Sequence, residues 1–245
     1  MVVPSKEVPL DIPPIDFDIA AQPNETTCGP TCLYAVYRYY KDLISLEQVV
    51  REVHQFEDGG TLAVWLGCHA LQRGYDALLY TCSLQLFDPT WFAGNVDLYQ
   101  KLEQQLLYKK DPKLVRASNA VMDFLRLGGK VRFEDFSREL IRKYLNQKIP
   151  ILTGLSSTYL YRSAREVSEP QAEYNDVQGE TAGHFVVLCG YHRATKNVLI
   201  ADPAQLNPFS PTRKYEVGIE RVICSMLLGI LTYDANFLII RPRQT

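Results

Sequence analysis

The sequence predicts an α+β fold: a helical half, an antiparallel β-sheet half, and a cleft between them. Three observations carry this. Apolar residues recur at helical spacing from Cys28 to about residue 74, and again between 97 and 146. Short, nearly continuous apolar runs bounded by turn residues fill the second half, as buried strands do. Two of those runs, Phe185 to Tyr191 and Val198 to Ala201, are joined by a connector of hairpin length, His192 to Lys196. The chain has 245 residues, 47% of them hydrophobic, which suffices for one sizeable core.

The elements follow in order. Residues 1–21 hold Pro4, Pro9, Pro13 and Pro14 among alternating apolar residues and read as an extended arm lying on the domain. Thr26 and Thr27 are capping residues for a helix starting at Cys28, and Pro30 suits its first turn. Cys32, Leu33, Val36, Tyr37 and Tyr40 form its buried face. Ser45 and Gln48 have the spacing of a capping box over a short helix ending near Val53. Gly59 and Gly60 break the chain, and a helix from Leu62 to Gln72 closes at Gly74. Ala77 to Cys82 reads as a strand. Three helices follow, marked by Leu98 to Leu107, Val121 to Leu125, and Phe136 to Tyr144. Pro150 to Thr153 opens the second half as a buried strand. The polar run from Ser156 to Ala182, bearing Tyr159, Tyr161 and Tyr174, is long for a loop in a compact domain and reads as a lid. Ile219 to Leu231 is a helix and Phe237 to Ile240 a closing strand. With no internal repeat and no linker, residues 1–245 read as one domain, with a helical expansion at about 90–146 and a candidate lid loop at about 156–182.

Composition excludes several classes. A net charge of −2 offers no basic field for nucleic acid or anionic membrane. The N-terminus lacks a signal-type apolar run, and the longest apolar stretch, Val222 to Tyr233, is too short to span a bilayer. The expectation is a soluble, cytoplasmic protein without nucleic-acid or membrane partners; its oligomeric state is not legible. Six scattered cysteines are not a secreted disulfide framework and are expected reduced. Cys28 and Cys32 stand one helical turn apart, but His54, His69 and His192 have no ligand spacing, so no metal is expected. No phosphate-cradle Lys-Ser/Thr follows Gly59 and Gly60. Cys68 and His69 lie in a helical apolar pattern, and Cys82, Cys189 and Cys224 read as packing residues. No cofactor is expected.

The chemistry concentrates in two places. Cys28 sits where a polar turn becomes a helix, so the positive end of the helix dipole favours thiolate there. Gln22 lies one short loop upstream with an amide donor. His184 stands at the mouth of the Phe185–Tyr191 strand, and Asp202 at the exit of the Val198–Ala201 strand, where Pro203 ends pairing. Folding the hairpin about Arg193 sets His184 opposite Asp202, within a residue or two of register. An aspartate accepting from one imidazole nitrogen leaves the other to face a thiol. Taken singly, Cys28 could be a buried structural thiol, His184 a strand cap and Asp202 an Asx-turn residue. Together, in the order Gln, Cys, His, polar orienter, they match papain-like enzymes.

Gln22, Thr27 to Cys32, Gly183 to Val187 and Ala201 to Pro203 resemble the bacteriocin-processing, double-glycine cysteine peptidase family, within the papain-like superfamily. The resemblance covers about residues 20–82 and 148–204; 90–146 and 156–182 look like expansions. It implies a papain-like fold with Cys28 as nucleophile, His184 as general base and Asp202 as its orienter. Gln22 and the Cys28 backbone N–H would form the oxyanion hole. The chain shows neither membrane spans nor an ATPase, so a stand-alone member is expected. The implied function is a cysteine peptidase or amidohydrolase cleaving a peptide or amide bond through an acyl-thioester on Cys28. The rivals are an acyl or peptidyl transferase using the same site, and a catalytically silent peptide-binding module.

Overall fold

The extended arm reaches the domain through alternate side chains. In this computed structural model, which describes residues 15–57, 59–167, 173–229 and 235–243, Ile15, Phe17 and Ile19 are buried while Asp16 and Asp18 are exposed. The arm is fastened by Ile15 N–H donating to the Cys189 carbonyl (2.9 Å) and Gln22 N–H donating to the Pro203 carbonyl (2.9 Å). It thereby delivers Gln22 beside Asp202. The prolines of residues 1–14 lie outside the described residues.

The helices follow their sequence signals closely. α1 (Cys28–Tyr39) buries Cys32, Leu33, Val36 and Tyr37. Tyr40 is its C-terminal cap, and its phenol donates to the Ile240 carbonyl. α2 (Leu46–Glu52) has the Ser45 half of the expected capping box: Gln48 N–H donates to Ser45 Oγ at 3.1 Å. The reciprocal half is absent because the Gln48 amide donates to Glu52 instead. α3 is Ala63–Gln72, with Gly74 behind it at φ +86°, where a side chain would be strained. α4 (Leu98–Tyr108), α5 (Pro112–Arg126) and α6 (Arg138–Asn146) are the three helices expected between 97 and 146.

One seven-stranded sheet carries the rest. Its strands are β1 (Tyr75–Thr81), β2 (Lys130–Phe133), β3 (Ile151–Ser156), β6 (Gly183–His192), β7 (Asn197–Ala201), β8 (Lys214–Gly218) and β9 (Asn236–Pro242). Their order is β2-β1-β9-β3-β6-β7-β8. All pairs are antiparallel except β1–β2. The sheet is therefore not confined to the second half: β1 joins it through β9. Strands β2 and β8 went unseen in the sequence. β2 is short and half exposed, and Lys214 to Gly218 alternates apolar and polar residues without a strong apolar run.

The run 156–182 is not structureless. It contains α7 (Ser157–Tyr161) and a small hairpin, β4 (Glu166–Val167) with β5 (Glu173–Tyr174). Its ends are tied together: Ser157 N–H donates to the Ala182 carbonyl, and Ala182 N–H donates to Thr158 Oγ1, both at 3.0 Å. The last helix, α8 (Ile219–Leu228), stops short of Leu231; residues 230–234 lie outside the described residues. Among the described residues no helix is long and apolar enough to cross a membrane.

α1 lies against β6, an interior strand of the sheet that is buried from His184 to His192. Glycine permits that approach. A Cβ at Gly29 would lie 2.6 Å from Thr61 Cγ2 and 3.2 Å from the Phe185 ring. Cys32 then reaches the Phe185 carbonyl with its thiol, 3.3 Å away. The N-terminus of α1 is thus pinned one residue from His184.

Candidate active site

The loop ahead of α1 is organised by Asn24. Its Oδ1 accepts from Thr26 N–H and from the Thr26 hydroxyl, an Asx turn, while the Thr27 hydroxyl donates to the Asn24 carbonyl. Thr27 is the N-cap by position, but no side chain caps α1. The expected threonine cap is therefore corrected: the hydroxyl is turned back into the loop. The first-turn N–H groups are left for whatever sits beside Cys28, which suits an anion-stabilising position.

His184 and Asp202 meet two residues from direct opposition, at the edge of the register range expected. Loop 193–196 centres the hairpin one to two residues beyond Arg193, with Lys196 at positive φ. Between Leu188 and Gly190 the pairing shifts, leaving Cys189 as an extra residue. Continued from Val187–Ala201, the register places Asp202 opposite Val186, two residues from His184 and on the same face. Continued without the bulge from Gly190–Leu199, it would place Asp202 opposite Val187, and His184 would face the other side. The bulge thus sets the parity that joins them. The bond itself is His184 Nε2 to Asp202 Oδ1, 2.8 Å. Nδ1 is left for Cys28.

Asp202 is fully buried and accepts four hydrogen bonds. Oδ1 takes His184 Nε2 and the Ala204 N–H (2.9 Å), so the Asx turn after Pro203 coexists with the histidine contact. Oδ2 takes the Tyr161 phenol (2.6 Å) and the Tyr215 phenol (2.5 Å). Burial alone would raise the Asp202 pKa; the His184 charge and the bonds from His184, Tyr161 and Tyr215 overcome it and hold it at about 2. Burial works to lower the His184 pKa, but the Asp202 charge, its hydrogen bond and the contact with Cys28 push it up to about 10. The two phenols, buried against a carboxylate, are held well above the usual tyrosine range and stay neutral donors. Neither tyrosine was singled out from sequence as a partner of Asp202. Tyr161 was noted only as part of the polar run, and Tyr215 lies on a strand too short to register.

Cys28 and His184 are 8% and 9% exposed, and His184 lines the cleft. Gln22 is 7% exposed and its Oε1 is buried with no hydrogen-bond partner. An unsatisfied buried amide is unfavourable in a stable interior, and suits a group that acts on a substrate. The cleft is lined by Gln22 to Glu25, Tyr161, Glu166, Glu173 and Tyr174 of the β4–β5 strands, Gly183, His184 and Ala204 to Leu206, and has a volume of about 460 Å³.

The other sequence candidates are held elsewhere. His54 stacks edge-on against Trp65, His69 lies between Tyr37 and Glu52, and the Thr195 N–H meets His192 Nδ1. Among the described residues no group of three or more His, Cys, Asp or Glu side chains is placed to hold a metal.

Cys28 thus stands at a helix N-terminus, with buried His184 on the adjoining strand β6 bonded to Asp202 just past β7, on an α+β scaffold. The chain belongs to the Peptidase_C39 like family, whose sequence profile matches residues 14–221. Two solved structures are similar over nearly their whole length. One is a double glycine motif protease from an AMS/PCAT transporter in complex with the leader peptide. It is 18% identical, covers 96% of this chain and 98% of its own, and has a TM-score of 0.46. The other is the peptidase domain of Streptococcus ComA, a bi-functional ABC transporter involved in a quorum sensing pathway. It is 12% identical, covers 93% and 99%, and has a TM-score of 0.47. No curated protein matches the chain.

Proposed function

We propose that the chain hydrolyses a peptide or amide bond through an acyl-thioester on Cys28. The observation that carries this reading is the 2.8 Å bond between His184 Nε2 and the fully buried Asp202, which turns Nδ1 toward Cys28. The Cys28 thiolate attacks the carbonyl carbon, and His184 protonates the departing amine. His184 then takes a proton from water as that water attacks the thioester, releasing the acid and regenerating the thiol pair. The oxyanion formed at each stage is met by the Gln22 side chain and the Cys28 backbone N–H. Asp202 touches neither substrate nor sulfur: it orients His184 and stabilises its cation, with Tyr161 and Tyr215 holding Asp202. No cofactor enters the scheme.

The β4–β5 hairpin lines the cleft and leads toward His184, which supports a closing role for the outer part of 156–182. The six cysteines are free thiols, in keeping with a reducing, cytoplasmic setting. A peptide-library cleavage assay with Cys28→Ala as control tests the reading. Cleavage by the wild-type chain alone supports it; equal product from both overturns it. Product analysis with and without an added amine separates hydrolysis from acyl transfer, and a chain that binds peptide without turning it over is the silent module.

A further inference from the structure

The charges around the cleft identify the side chain it receives. Among the described residues, the charged ones lining it apart from His184 are Glu25, Glu166 and Glu173, and none is a lysine or arginine. Glu25 comes from the loop between Gln22 and Cys28. Glu166 and Glu173 come from the two strands of the facing hairpin. Among the described residues none of the three carboxylates has an ion-pair partner. Glu166 is half-buried, and its carboxyl is pushed up first by that burial and then by the like charge of Glu25, with His184 acting in the opposite sense. Three carboxylates against the single His184 cation leave the cleft net negative, and an arriving cation lowers the free energy of that arrangement.

Two further features favour an arriving cation with N–H donors. Tyr174, the register partner of Glu166, lines the same cleft and offers an aromatic face to a guanidinium or ammonium group. Gln22 lines it too, and its buried Oε1 is an acceptor without a donor.

We propose that the cleft takes peptides bearing an arginine or lysine close to the scissile bond, with Glu25, Glu166 and Glu173 as its counter-charges. This rests on the peptidase reading of the site and adds its substrate class. The peptide is steered by charge and held with its basic side chain between the Gln22–Glu25 loop and the hairpin. The scissile carbonyl then lies at Cys28.

Two assays test it. In the first, matched peptides carry arginine, lysine, neutral citrulline or glutamate at each position within four residues of the cleaved bond. Arginine and lysine at one position should raise kcat/KM roughly fivefold to tenfold over citrulline, the scale of a few partly exposed ion pairs. The triple variant Glu25→Gln, Glu166→Gln, Glu173→Gln should bring that ratio to about one. The second needs no cleavage: methanethiosulfonates with cationic, neutral and anionic tails compete for Cys28, read by peptide mass mapping. The cationic reagent should lead in the wild-type chain, and the triple variant should lose that lead. Equal cleavage of arginine and citrulline peptides overturns this proposal and leaves the peptidase reading standing. A glutamate-dependent cationic lead with no peptide cleaved keeps the cation subsite and overturns the peptidase reading. Equal reagent rates in both proteins overturn the subsite whatever the peptides do.

Discussion

Asp202→Asn keeps the shape of the buried carboxylate and the two bonds accepted by its remaining oxygen, and removes its charge. The magnitude follows from the shift that the native site imposes. Asp202 is held at about 2 against an ordinary 3.8. At about 1.4 kcal/mol per unit, this is roughly 2 kcal/mol of folding stability at pH values where both groups are charged. The sign fixes the window. The folded pKa of Asp202 is depressed, so its contribution is present above pH 3.8 and lost as pH falls through about 2. The folded pKa of His184 is raised, so the contribution of the same pair is complete below pH 6.5 and lost as pH rises through about 10. It is one interaction, counted once. Urea denaturation of the two proteins should therefore differ most between about pH 4 and 6.5, by roughly 2 kcal/mol, and converge outside that range. In the variant, burial should carry the His184 pKa below its ordinary value, and turnover should fall by about 10² to 10⁴. A stability difference that is flat from pH 3 to pH 9, with turnover unchanged, would show that Asp202 and His184 do not act as an ion pair.

Further outcomes follow from single contacts. Gln22→Ala should lower kcat by about 10² to 10³ with KM little changed, the cost of one oxyanion donor; steady-state kinetics on the best library peptide decide it, and a pure KM effect would make Gln22 a binding residue. Gly29→Ala should destabilise the fold by about 1–3 kcal/mol and depress activity as well, because the new methyl meets Thr61 Cγ2 at 2.6 Å and pushes α1 off β6; an unchanged urea midpoint would contradict that close approach. Limited proteolysis should be slowed within 162–180 by an inhibitor bound on Cys28, since the hairpin lines the cleft; identical cutting with and without inhibitor would count against closure.

Much of this architecture was legible in the chain. The α1 face, the Ser45 cap, the Gly74 stop and the three helices between 98 and 146 rest on local signals, periodicity and capping chemistry, which the tertiary fold did not override. Cys28, His184, Asp202 and Gln22 were singled out as candidates from a helix start, a hairpin and a short loop, all local as well. What escaped is non-local or depends on one residue. The parity of the His184–Asp202 contact is set by a bulge at Cys189, inside an apolar run that reads as a regular strand. β2 pairs in parallel with a strand about fifty residues earlier, a contact no short window contains. The phenols of Tyr161 and Tyr215 converge on one carboxylate oxygen from a five-residue helix and a five-residue strand, each too short to signal in periodicity. The acidic cleft is likewise assembled from two distant segments, and only their juxtaposition shows that three glutamates line one cleft.

The central claim, that Cys28 is a nucleophile activated by His184, is tested most directly by competitive alkylation among the six cysteines. Burial raises the pKa of Cys32, Cys68, Cys82 and Cys189, the second and fourth of these to about 12, and Cys224 is exposed and reports simple accessibility. Brief treatment with limiting iodoacetamide at pH 6, read by peptide mass mapping, should label Cys28 first, although it is only 8% exposed. His184→Ala should abolish that lead and move Cys28 labelling to higher pH. Labelling led by any other cysteine, or a Cys28 profile unchanged in His184→Ala, would contradict the account.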